Sequence, residues 1–425
     1  MFIGLDFGTS GCRGMVIDAT GGILAEAAMP LPPERSNGPE VEQSPHDWWQ
    51  TLTRLMPVLL RRCDPGAIRA ITLDGTSGTV LLTNPAGEPI TPALMYNDNR
   101  AVAEAARIEK NAPRESAAHG TGSGLAKALW LLQQHPTARI HTQADWLTGK
   151  LSGDFSACDA NNTLKLGYDP VARKWPEWIE KLVNTETLPR VVEPGTPIAP
   201  LLPELAEAWG LNESVTICAG TTDSTAAFIA AGATQPGEAV TNLGSTLVLK
   251  VLSPEPVFAP EYGVYSQPLG KLWLVGGGSN SGGAVLRRFF SDGQMAELSS
   301  QIDPSRQSGL DYYPLSKPGE RFPINDPQLS PRLEPRPDDD ALFFHGLLEG
   351  IARIEKQGYD LLAQLGAPSP VSIRSSGGGA SNEIWTEIRS LLFVVPMLKA
   401  EQQQACYGAA LLAKSGIDSP QGKTI

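Results

Sequence analysis

The chain has 425 residues, of which 41% are hydrophobic and 19% charged, and its formal net charge is −12. The length favours two or three domains, and the composition is that of a globular protein rather than a disordered one. The negative charge argues against nucleic acids and anionic membranes as partners, but a nucleotide site built from backbone N–H groups and a metal ion needs no global positive charge.

The N-terminal segment and the cysteines predict a cytoplasmic protein. No basic residue precedes the short apolar stretch at the N-terminus and Asp6 follows it, so no signal peptide is predicted. No apolar run approaches the roughly 18 residues of a membrane span. The 5 cysteines form no C-x-x-C pair and no Cys/His cluster, which indicates a reducing compartment and no structural zinc.

The chain opens with a pattern of short strands and small-residue turns. Gly8–Gly11 is the first turn, and Ser44-Pro45 resembles a helix N-cap followed by proline at the first helical position, so a helix is predicted from Pro45. Another turn is predicted at Gly75–Gly78. The strands predicted around these turns cover residues 3–7, 14–18, 23–28, 68–73 and 79–82.

The opening pattern returns near residue 238, where a strand over 239–243 is followed by the turn Gly244-Ser245-Thr246 and further strands over 247–251 and 272–275. Two such beginnings predict an α/β protein with two similar domains that face each other. A helix over 225–231 precedes the second beginning. We therefore expect an N-terminal domain over residues 1–232 and a C-terminal domain over 233–425.

The C-terminal domain is predicted to contain a long proline-rich loop and an amphipathic helix. Pro314–Pro337 is the loop, and Glu349–Leu365 is the helix, with Gly366 beyond its end. A strand over 371–374 then leads through the triple glycine 377–379 into another helix. The last helix of the chain is expected to pack back towards the first domain.

Familiar catalytic and nucleotide motifs are absent from the sequence. It contains no G-x-x-x-x-G-K-[ST], G-x-G-x-x-G, H-E-x-x-H or G-x-S-x-G segment. The 5 histidines lie in contexts that favour structural roles. The candidates that remain are glycine-rich turns at strand ends and the acids beside them.

The first turn combines Asp6 at a strand end with Gly8, Thr9, Ser10 and Arg13. Glycine lets backbone N–H groups approach phosphate oxygens, and a carboxylate at the strand end can hold Mg²⁺ through water. Taken alone, the turn is equally consistent with a plain hairpin. The hydroxyl-bearing turn 244–246 favours the phosphate interpretation, because two such turns after equivalent strands could bind one polyphosphate from two sides.

The third glycine turn begins with Gly377-Gly378 and ends with Ala380-Ser381-Asn382. Three consecutive glycines disfavour folding by about 1 kcal/mol each relative to alanine, and their simplest use is to let a ligand lie against backbone at a helix N-terminus. The alternative is a linker. Asp223, in the first turn of a helix, either complements the helix dipole or serves as a general base that is ionised at neutral pH.

The ordered set of motifs resembles the FGGY carbohydrate kinases, a family within the actin-like ATPase superfamily, over nearly the whole chain. The segments that carry this resemblance are specific evidence for the family as an ordered set, although each segment alone is weak evidence. In chain order the matching segments are Asp6–Arg13, Glu42–Trp49, Asp74–Gly78, Tyr96–Arg100, Lys127–Trp130, Gly220–Asp223, Asn242–Thr246, Asn280–Gly283, Gly377–Asn382 and Gly408–Ala413.

The resemblance implies two RNase H-like domains with ATP, Mg²⁺ and a small sugar in the cleft between them. It implies that Asp223 takes the proton from the attacking sugar hydroxyl and that Asp6 positions Mg²⁺ through water. The sugar-contacting residues implied are Asp6, Ser77, Asp98 and Asp223. The nucleotide-binding residues implied are Gly8, Thr9, Ser10, Arg13, Gly244, Ser245, Thr246, Gly377, Gly378 and Asn382.

The sugar pocket departs from the pattern of typical xylulose kinases. Those enzymes carry Met-His where this chain has Thr76-Ser77, and Tyr96 stands where the family usually has tryptophan. The chain resembles the compact branch of D-ribulose kinases, so D-ribulose phosphorylated at O5 is the expected reaction and D-xylulose the alternative. A non-catalytic actin-like ATPase and a sugar sensor on the same fold are further alternatives. A monomer and a homodimer are both consistent with the sequence.

Overall fold

The structure, a computed structural model, describes residues 1–418 and contains two compact units. Unit 1 comprises Met1–Ala230, Gln267–Lys271 and the described residues from Gln404 onward. Unit 2 comprises Ala231–Ser266 and Leu272–Gln403. The first change from unit 1 to unit 2 thus adjoins the Gly232–Gly237 segment.

The strands form one large sheet in each unit and two smaller sheets. In chain order they are β1 (Phe2–Phe7), β2 (Gly11–Ile17), β3 (Ile23–Pro30), β4 (Arg35–Asn37), β5 (Glu40–Gln43), β6 (Ala70–Gly75), β7 (Val80–Thr83), β8 (Ala93–Leu94), β9 (Arg139–Thr142), β10 (Ala157–Asp159), β11 (Arg190–Val192), β12 (Pro197–Pro200), β13 (Thr216–Cys218), β14 (Thr221–Thr222), β15 (Glu238–Leu243), β16 (Leu247–Ser253), β17 (Tyr265–Leu269), β18 (Leu272–Ser279), β19 (Ser372–Ser376) and β20 (Met397–Lys399).

Helices surround these sheets. In chain order they are α1 (Pro45–Leu60), α2 (Val102–Glu109), α3 (Gly124–Leu132), α4 (Gln143–Ser152), α5 (Glu177–Glu180), α6 (Pro203–Trp209), α7 (Asp223–Ala230), α8 (Gly283–Leu286), α9 (Asp292–Ser299), α10 (Asp340–Gln364), α11 (Glu383–Leu392) and α12 (Ala405–Asp418). Even α10, with 25 residues, lacks the apolar character needed to cross a membrane, and the same holds for every other helix within residues 1–418.

The large sheet of unit 1 has the order β12-β13-β6-β1-β2-β3, and the short β14 pairs with the same edge of β6 as β13, nearer to the carboxyl end of β6. β1 pairs antiparallel with β2 and parallel with β6, and β6 pairs parallel with β13 and β14. Every residue of β1 and of β6 is buried, as expected for central strands covered on both faces. The carboxyl ends of β1, β6 and β14 therefore lie side by side.

The large sheet of unit 2 repeats this arrangement with the strands β18, β16, β15, β19 and β20 in that order. β15 pairs antiparallel with β16 and parallel with β19, as β1 pairs with β2 and β6. Both units thus have a three-stranded antiparallel meander whose first strand is joined in parallel by a later strand. This shared order accounts for the two similar beginnings in the sequence and agrees with two α/β domains of RNase H-like type.

The C-terminal helix α12 belongs to unit 1 and covers one face of its sheet. A methyl group at Gly4 of β1 would stand 1.9 Å from the carbonyl oxygen of Cys406, so the helix and the strand touch backbone to backbone. The same close approach occurs at Gly408, where a methyl group would stand 1.9 Å from the carbonyl oxygen of Ala226 in α7. The apolar residues buried in this contact are Phe2, Met15, Ile17, Ala70, Cys218, Cys406, Ala410 and Ala413.

Two predicted elements of unit 2 have different extents in the structure. α10 begins at Asp340 rather than at Glu349, because the side chain of Asp339 accepts a hydrogen bond from the Ala341 N–H and so starts the helix two turns earlier. The proline-rich residues 314–337 contain no helix or named strand, in agreement with a loop. Glu320 anchors this loop, since its carboxylate accepts hydrogen bonds from Ser279 and from the Asn280 N–H.

Candidate active site

Two carboxyl groups lie next to each other at the end of the unit 1 sheet. Asp6 in β1 is directly opposite Asp74 in β6, and Asp74 is in turn opposite Thr221 in β14. Both carboxyls are buried, Asp6 to 6% exposure and Asp74 completely. Successive residues of a strand point to opposite faces, so register partners in neighbouring strands share a face, and Asp6 and Asp74 project together.

Burial and mutual proximity decide the charge of this pair. Burial raises the pKa of Asp74 well above its usual value, and the charges of Asp6 and Asp223 and the hydrogen bond with Asp6 raise it further. Burial also raises the pKa of Asp6, but the hydrogen bond with Asp74 and the nearby Arg13 oppose that rise. Neither oxygen of Asp74 accepts a hydrogen bond. Burial and the neighbouring charges therefore favour the protonated form of Asp74.

Asp223 begins α7 two residues after Thr221, and its side chain is half-buried. Its Oδ1 accepts a hydrogen bond from the Ser224 N–H at 2.6 Å. Its charge is felt by Asp74, so Asp223 lies at the same end of the sheet. The structure thus brings together Asp6 and Asp223, which the sequence predicted as site residues, and adds Asp74 between them.

The turn between β1 and β2 is fixed next to these acids. The Gly8 N–H donates to the Gly11 carbonyl at 3.1 Å, which closes the turn. Gln43 donates through Nε2 to the Thr9 carbonyl at 2.7 Å and accepts from the Trp48 indole N–H at 2.8 Å. The glutamine and tryptophan of the Glu42–Trp49 segment therefore brace the turn from behind, which leaves its front to a ligand.

Arg13 and Ser10 occupy the exposed side of this turn. The Arg13 guanidinium lies 3.5 Å from Oδ2 of Asp6, and its side chain is 58% exposed. Ser10 is also exposed, and its carbonyl accepts a hydrogen bond from the Leu31 N–H. Because the Arg13 side chain is largely exposed, its guanidinium is accessible to a ligand that approaches from solvent.

The turn that follows β6 carries Thr76 and Ser77, and the two have different surroundings. Thr76 is buried, and both its N–H and its hydroxyl donate to Oε1 of Gln143, at 2.9 and 3.0 Å. Ser77 is half-buried, and its carbonyl accepts a hydrogen bond from Nζ of Lys165 at 3.3 Å. Thr76 therefore holds the turn, while Ser77 and Lys165 present polar groups at its surface.

Asp98, predicted to contact sugar, has surroundings other than those expected. Its side chain is fully buried, and Oδ2 accepts hydrogen bonds from the Val41 N–H at 2.7 Å and from Nη2 of Arg100 at 2.7 Å. Arg100 also pairs with Glu42 at 2.8 Å and stacks on Trp130. These contacts join the Tyr96–Arg100 segment to β5, so Asp98 supports the pocket wall rather than offering a free oxygen to a sugar.

A buried lysine stands behind the same wall. Nζ of Lys127 donates to the Met95 carbonyl at 2.8 Å, and its side chain has no exposed surface. Burial lowers the pKa of Lys127 to about 7, and the charge of Lys165 lowers it in the same direction while Asp98 opposes them. The lysine of the Lys127–Trp130 segment thus fixes the position of residues 95–98.

Another buried acid supports the strand that leads to Asp223. Asp159 accepts hydrogen bonds from the N–H groups of Asn161 and Asn162, at 2.8 and 3.0 Å, and Asn161 donates to Oγ1 of Thr221 at 3.1 Å. Burial raises the pKa of Asp159 to about 7, although its hydrogen bonds to Asn162 and Asn161 oppose the rise. Sequence reasoning gave no role to Asp159, because the contact of Asn161 with Thr221 that gives it one joins residues distant in the chain.

In unit 2 the turn 244–246 is packed against the start of α8. The Gly283 N–H donates to the Gly244 carbonyl at 2.9 Å, and the Ala284 N–H donates to the Ser245 carbonyl at 3.0 Å. Gly282 has a φ of +143°, which only glycine adopts readily, and a methyl group there would stand 2.8 Å from the Ser245 carbonyl oxygen. The Asn280–Gly283 segment therefore fixes the backbone of the turn, while the side chains of Ser245 and Thr246 are exposed.

The third glycine turn follows β19 and leads into α11. Gly377 has a φ of +80°, and a methyl group there would stand 2.7 Å from Oδ1 of Asn242, so this turn packs against the end of β15. Asn382 caps α11, since its Oδ1 accepts from the Trp385 N–H at 3.0 Å, while its Nδ2 donates to Oγ of Ser299 at 2.9 Å. The turn is therefore part of a wall and not a linker.

These turns border a cavity of about 690 Å³ that lies wholly within unit 2. This volume is in the range of cofactor and small-molecule sites. The predicted residues Gly244, Gly378 and Asn382 line it, while Ser245, Thr246 and Gly377 adjoin them in the chain. Residues that the sequence did not indicate also line the cavity, among them Leu286, Arg287, Asp292, Glu383, Trp385 and Glu387.

A buried ion pair holds the two strands that carry these turns. Arg389 of α11 pairs with Glu355 of α10 through Nε and Nη2, both at 2.6 Å, and donates from Nη1 to Oγ of Ser375 in β19 at 2.6 Å. Thr241 of β15 donates to the same glutamate at 2.6 Å. The side chains of the pair are 0% and 1% exposed. One network therefore connects β15, β19, α10 and α11.

The acids of unit 1 fit Mg²⁺ through water better than by direct ligation. Within residues 1–418 no group of three His, Cys, Asp or Glu side chains is arranged to hold a metal ion. Mg²⁺ commonly takes one or two carboxylates and keeps several waters, so the Asp6 carboxylate beside the turn at Gly8 fits this use.

Comparisons with known proteins identify the family of the chain. The model for the N-terminal domain of the FGGY family of carbohydrate kinases matches residues 1–230, and the model for the C-terminal domain matches residues 239–416. The chain is 25% identical to the xylulose kinase of Escherichia coli K12 over 419 residues, which is 91% of this chain and 84% of that protein. It is 22% identical to the gluconokinase of Bacillus subtilis over 466 residues, covering 98% of this chain and 88% of the other.

Solved structures share the fold. The ligand-bound xylulose kinase from Lactobacillus acidophilus has a TM-score of 0.85 at 20% identity, with 99% of this chain and 90% of the other covered. Plasmodium falciparum glycerol kinase with ADP has a TM-score of 0.85 at 18% identity, with 98% and 89% covered.

Proposed function

The chain belongs to the FGGY family of carbohydrate kinases, because the family's two domain models together match most of its length, and we propose that it transfers the γ-phosphoryl group of ATP to O5 of D-ribulose. The observation that carries this proposal is the position of Asp223 at the start of α7, at the same sheet end as the Asp6–Asp74 pair. Phosphoryl transfer requires positioning, charge stabilisation and a group that accepts the hydroxyl proton.

In the proposed mechanism Asp223 accepts the proton of the attacking sugar hydroxyl. The Ser224 N–H holds one oxygen of Asp223 in place. The helix N-terminus favours the ionised carboxylate, which is the form a base needs. Asp74 keeps its proton, because burial and the charges of Asp6 and Asp223 raise its pKa, so the pair of Asp6 and Asp74 carries one negative charge rather than two.

In unit 2 the adenosine is proposed to lie in the cavity beside Gly378 and Asn382, with phosphate against the turn of 244–246. In unit 1 the turn of Gly8–Ser10 is proposed to bind phosphate. Each turn is braced from behind by side chains or by α8, so the backbone is held in position before the nucleotide arrives. Such preorganisation is the main source of catalysis in phosphoryl transfer. Bound Mg²⁺ would neutralise charge on the phosphate oxygens, and Asp6 is the residue proposed to hold it through water.

The choice of D-ribulose depends on the turn at Thr76-Ser77. Ser77 and the Lys165 amine beside it can both hydrogen-bond sugar oxygens, and Thr76 is committed to Gln143. D-xylulose is the second candidate, because several relatives are xylulose kinases. D-ribulose and D-xylulose differ only in the configuration at one carbon, so the hydroxyl that meets Ser77 and Lys165 would decide between them.

An ADP-release assay with D-ribulose, D-xylulose, L-ribulose, ribitol, D-gluconate and glycerol tests this proposal. We expect kcat/KM for D-ribulose to exceed that for every other compound by at least about tenfold, since one misplaced hydrogen bond in a polar pocket typically has this effect. ³¹P NMR of the product should identify the 5-phosphate. A preference for D-xylulose would identify D-xylulose as the substrate in place of D-ribulose. ADP release that does not depend on a sugar would contradict the kinase proposal.

We further propose that the enzyme works in the cytoplasm as a monomer or homodimer. The described cysteines are all free thiols, and Cys12, Cys158, Cys218 and Cys406 are buried, which suits a reducing compartment. Size-exclusion chromatography with light scattering would determine the oligomeric state, and a larger assembly would contradict this part of the proposal.

A further inference from the structure

Arg287 has a position that no predicted motif explains. It follows α8 directly, and its guanidinium lies at the mouth of the unit 2 cavity against two of the glycine segments. A methyl group at Gly283 would stand 3.5 Å from Nη1 of Arg287, and a methyl group at Gly378 would stand 3.8 Å from Nη2. The two terminal nitrogen atoms of the guanidinium thus border both segments.

The charge of the cavity makes this arginine conspicuous. It is the only basic residue among those that line the cavity, whereas Asp292, Glu383 and Glu387 contribute three carboxylates. The lining residues carry a net negative charge, so they would repel an anionic ligand unless a cation lay close to its phosphate. Arg287 is the one lining residue that can supply this charge.

The present partner of Arg287 does not hold it firmly. Nε lies 3.6 Å from Oδ1 of Asp292, and the two side chains are 53% and 84% exposed. Exposed pairs at this distance contribute little, so the guanidinium can leave Asp292 for a better acceptor. A phosphate is such an acceptor, because its oxygens match the parallel N–H groups of arginine and form charge-assisted hydrogen bonds.

We propose that Arg287 binds the α-phosphate of the adenine nucleotide. This inference rests on the proposed use of ATP and adds a binding residue to it. The adenosine is proposed to lie beside Gly378, and the α-phosphate is bonded to its ribose, so this phosphate is expected near the same turn. The guanidinium borders that turn and the start of α8 at once. Arg287 therefore joins the two glycine segments through the ligand and raises the affinity for every nucleotide that carries this phosphate.

Binding by isothermal titration calorimetry with adenosine, AMP and ADP tests the proposal without any sugar. Arg287→Met should lower the affinities for AMP and ADP by about tenfold to a hundredfold, which is the usual effect of losing a hydrogen bond between charged groups. Adenosine affinity should change by less than about twofold. Arg287→Lys, which keeps the charge but not the paired N–H groups, should lie between the wild type and Arg287→Met.

Arg288 provides the matched control. It is the next residue, it is equally exposed, and it points elsewhere, donating to the Ser316 carbonyl and lying outside the cavity lining. Arg288→Met should leave the affinities for all three ligands unchanged. An equal loss in Arg288→Met would mean that only general charge matters and would overturn the assignment.

The outcomes separate this inference from the proposed function. Normal ADP binding by Arg287→Met would overturn the inference and leave the kinase proposal standing. A comparable loss of adenosine affinity would also overturn it, because the arginine would then contact the base or ribose. Failure of the wild-type chain to bind AMP or ADP would remove the proposed use of ATP and the inference with it.

Discussion

The buried pair between Arg389 and Glu355 offers a stability test whose size can be derived from the structure. Arg389→Met removes three donors, one that bonds Ser375 and two that bond Glu355, and leaves the glutamate carboxylate buried with a hydrogen bond from Thr241. Breaking a buried pair by removing one partner typically costs about 3–5 kcal/mol, because the remaining charge stays desolvated. With a urea m value of about 3 kcal/mol/M, the midpoint for unit 2 should fall by about 1–1.7 M.

The assay should follow unit 2 separately, since a chain of two units need not unfold in one step. Pulse-labelling hydrogen exchange along a urea series, read by mass spectrometry on peptides from α10 and β19, gives that midpoint. Lys356→Met on the same helix is the matched control. Its exposed pair with Asp360 should contribute less than about 1 kcal/mol.

The double variant Arg389→Met/Glu355→Leu decides whether the unpaired charge is the cause. Replacing both partners by apolar residues of similar volume should recover at least half of the loss, because no desolvated carboxylate remains. A cost below about 1 kcal/mol for Arg389→Met, or a double variant no more stable than the single one, would refute this reasoning.

Three further outcomes are expected. Asp223→Asn should fold normally and lower kcat by about 10²–10⁴-fold in the ADP-release assay, and near-normal turnover would exclude Asp223 as the base. Gly379→Ala places a methyl group 2.5 Å from the Trp385 ring and should raise KM for ATP by about tenfold or more, whereas Gly293→Ala, with open space around it, should not. Asp159 has a pKa of about 7 in the folded state and about 4 in the unfolded state, so the folded state keeps this proton to a higher pH. As pH rises from 4 to 7, the free energy of unfolding of the wild type should therefore fall by up to about 4 kcal/mol relative to that of Asp159→Asn, as measured by urea unfolding. A difference in unfolding free energy that does not change with pH would contradict the raised pKa.

Local signals in the sequence were sufficient for the turns and for much of the fold. Gly8 and Gly244 stand after equivalent strands because each turn begins the same meander, and this repeat indicated two similar α/β domains. The place of Asp223 at a helix start could be predicted in the same way. These features depend on neighbouring residues and on short-range geometry, which a single sequence displays directly.

Features that depend on long-range pairing could not be predicted. Asp74 was assigned to a turn, and its partnership with Asp6 exists only because β1 and β6 pair in one register. The sequence assigned Asp98 to the sugar, but its oxygens are occupied by Val41 and Arg100. Arg287 belongs to no glycine motif, so its place at the cavity follows only from the packing of α8.

The position of α12 has a consequence for how the chain is made. The apolar face formed by Phe2, Met15 and Ala70 is covered by a helix that begins at Ala405. A ribosome must therefore synthesise all of unit 2 before the nascent unit 1 can bury this face. A chain cut after Ala230 would keep the patch open to water and should aggregate, although most of the unit 1 sequence would be present.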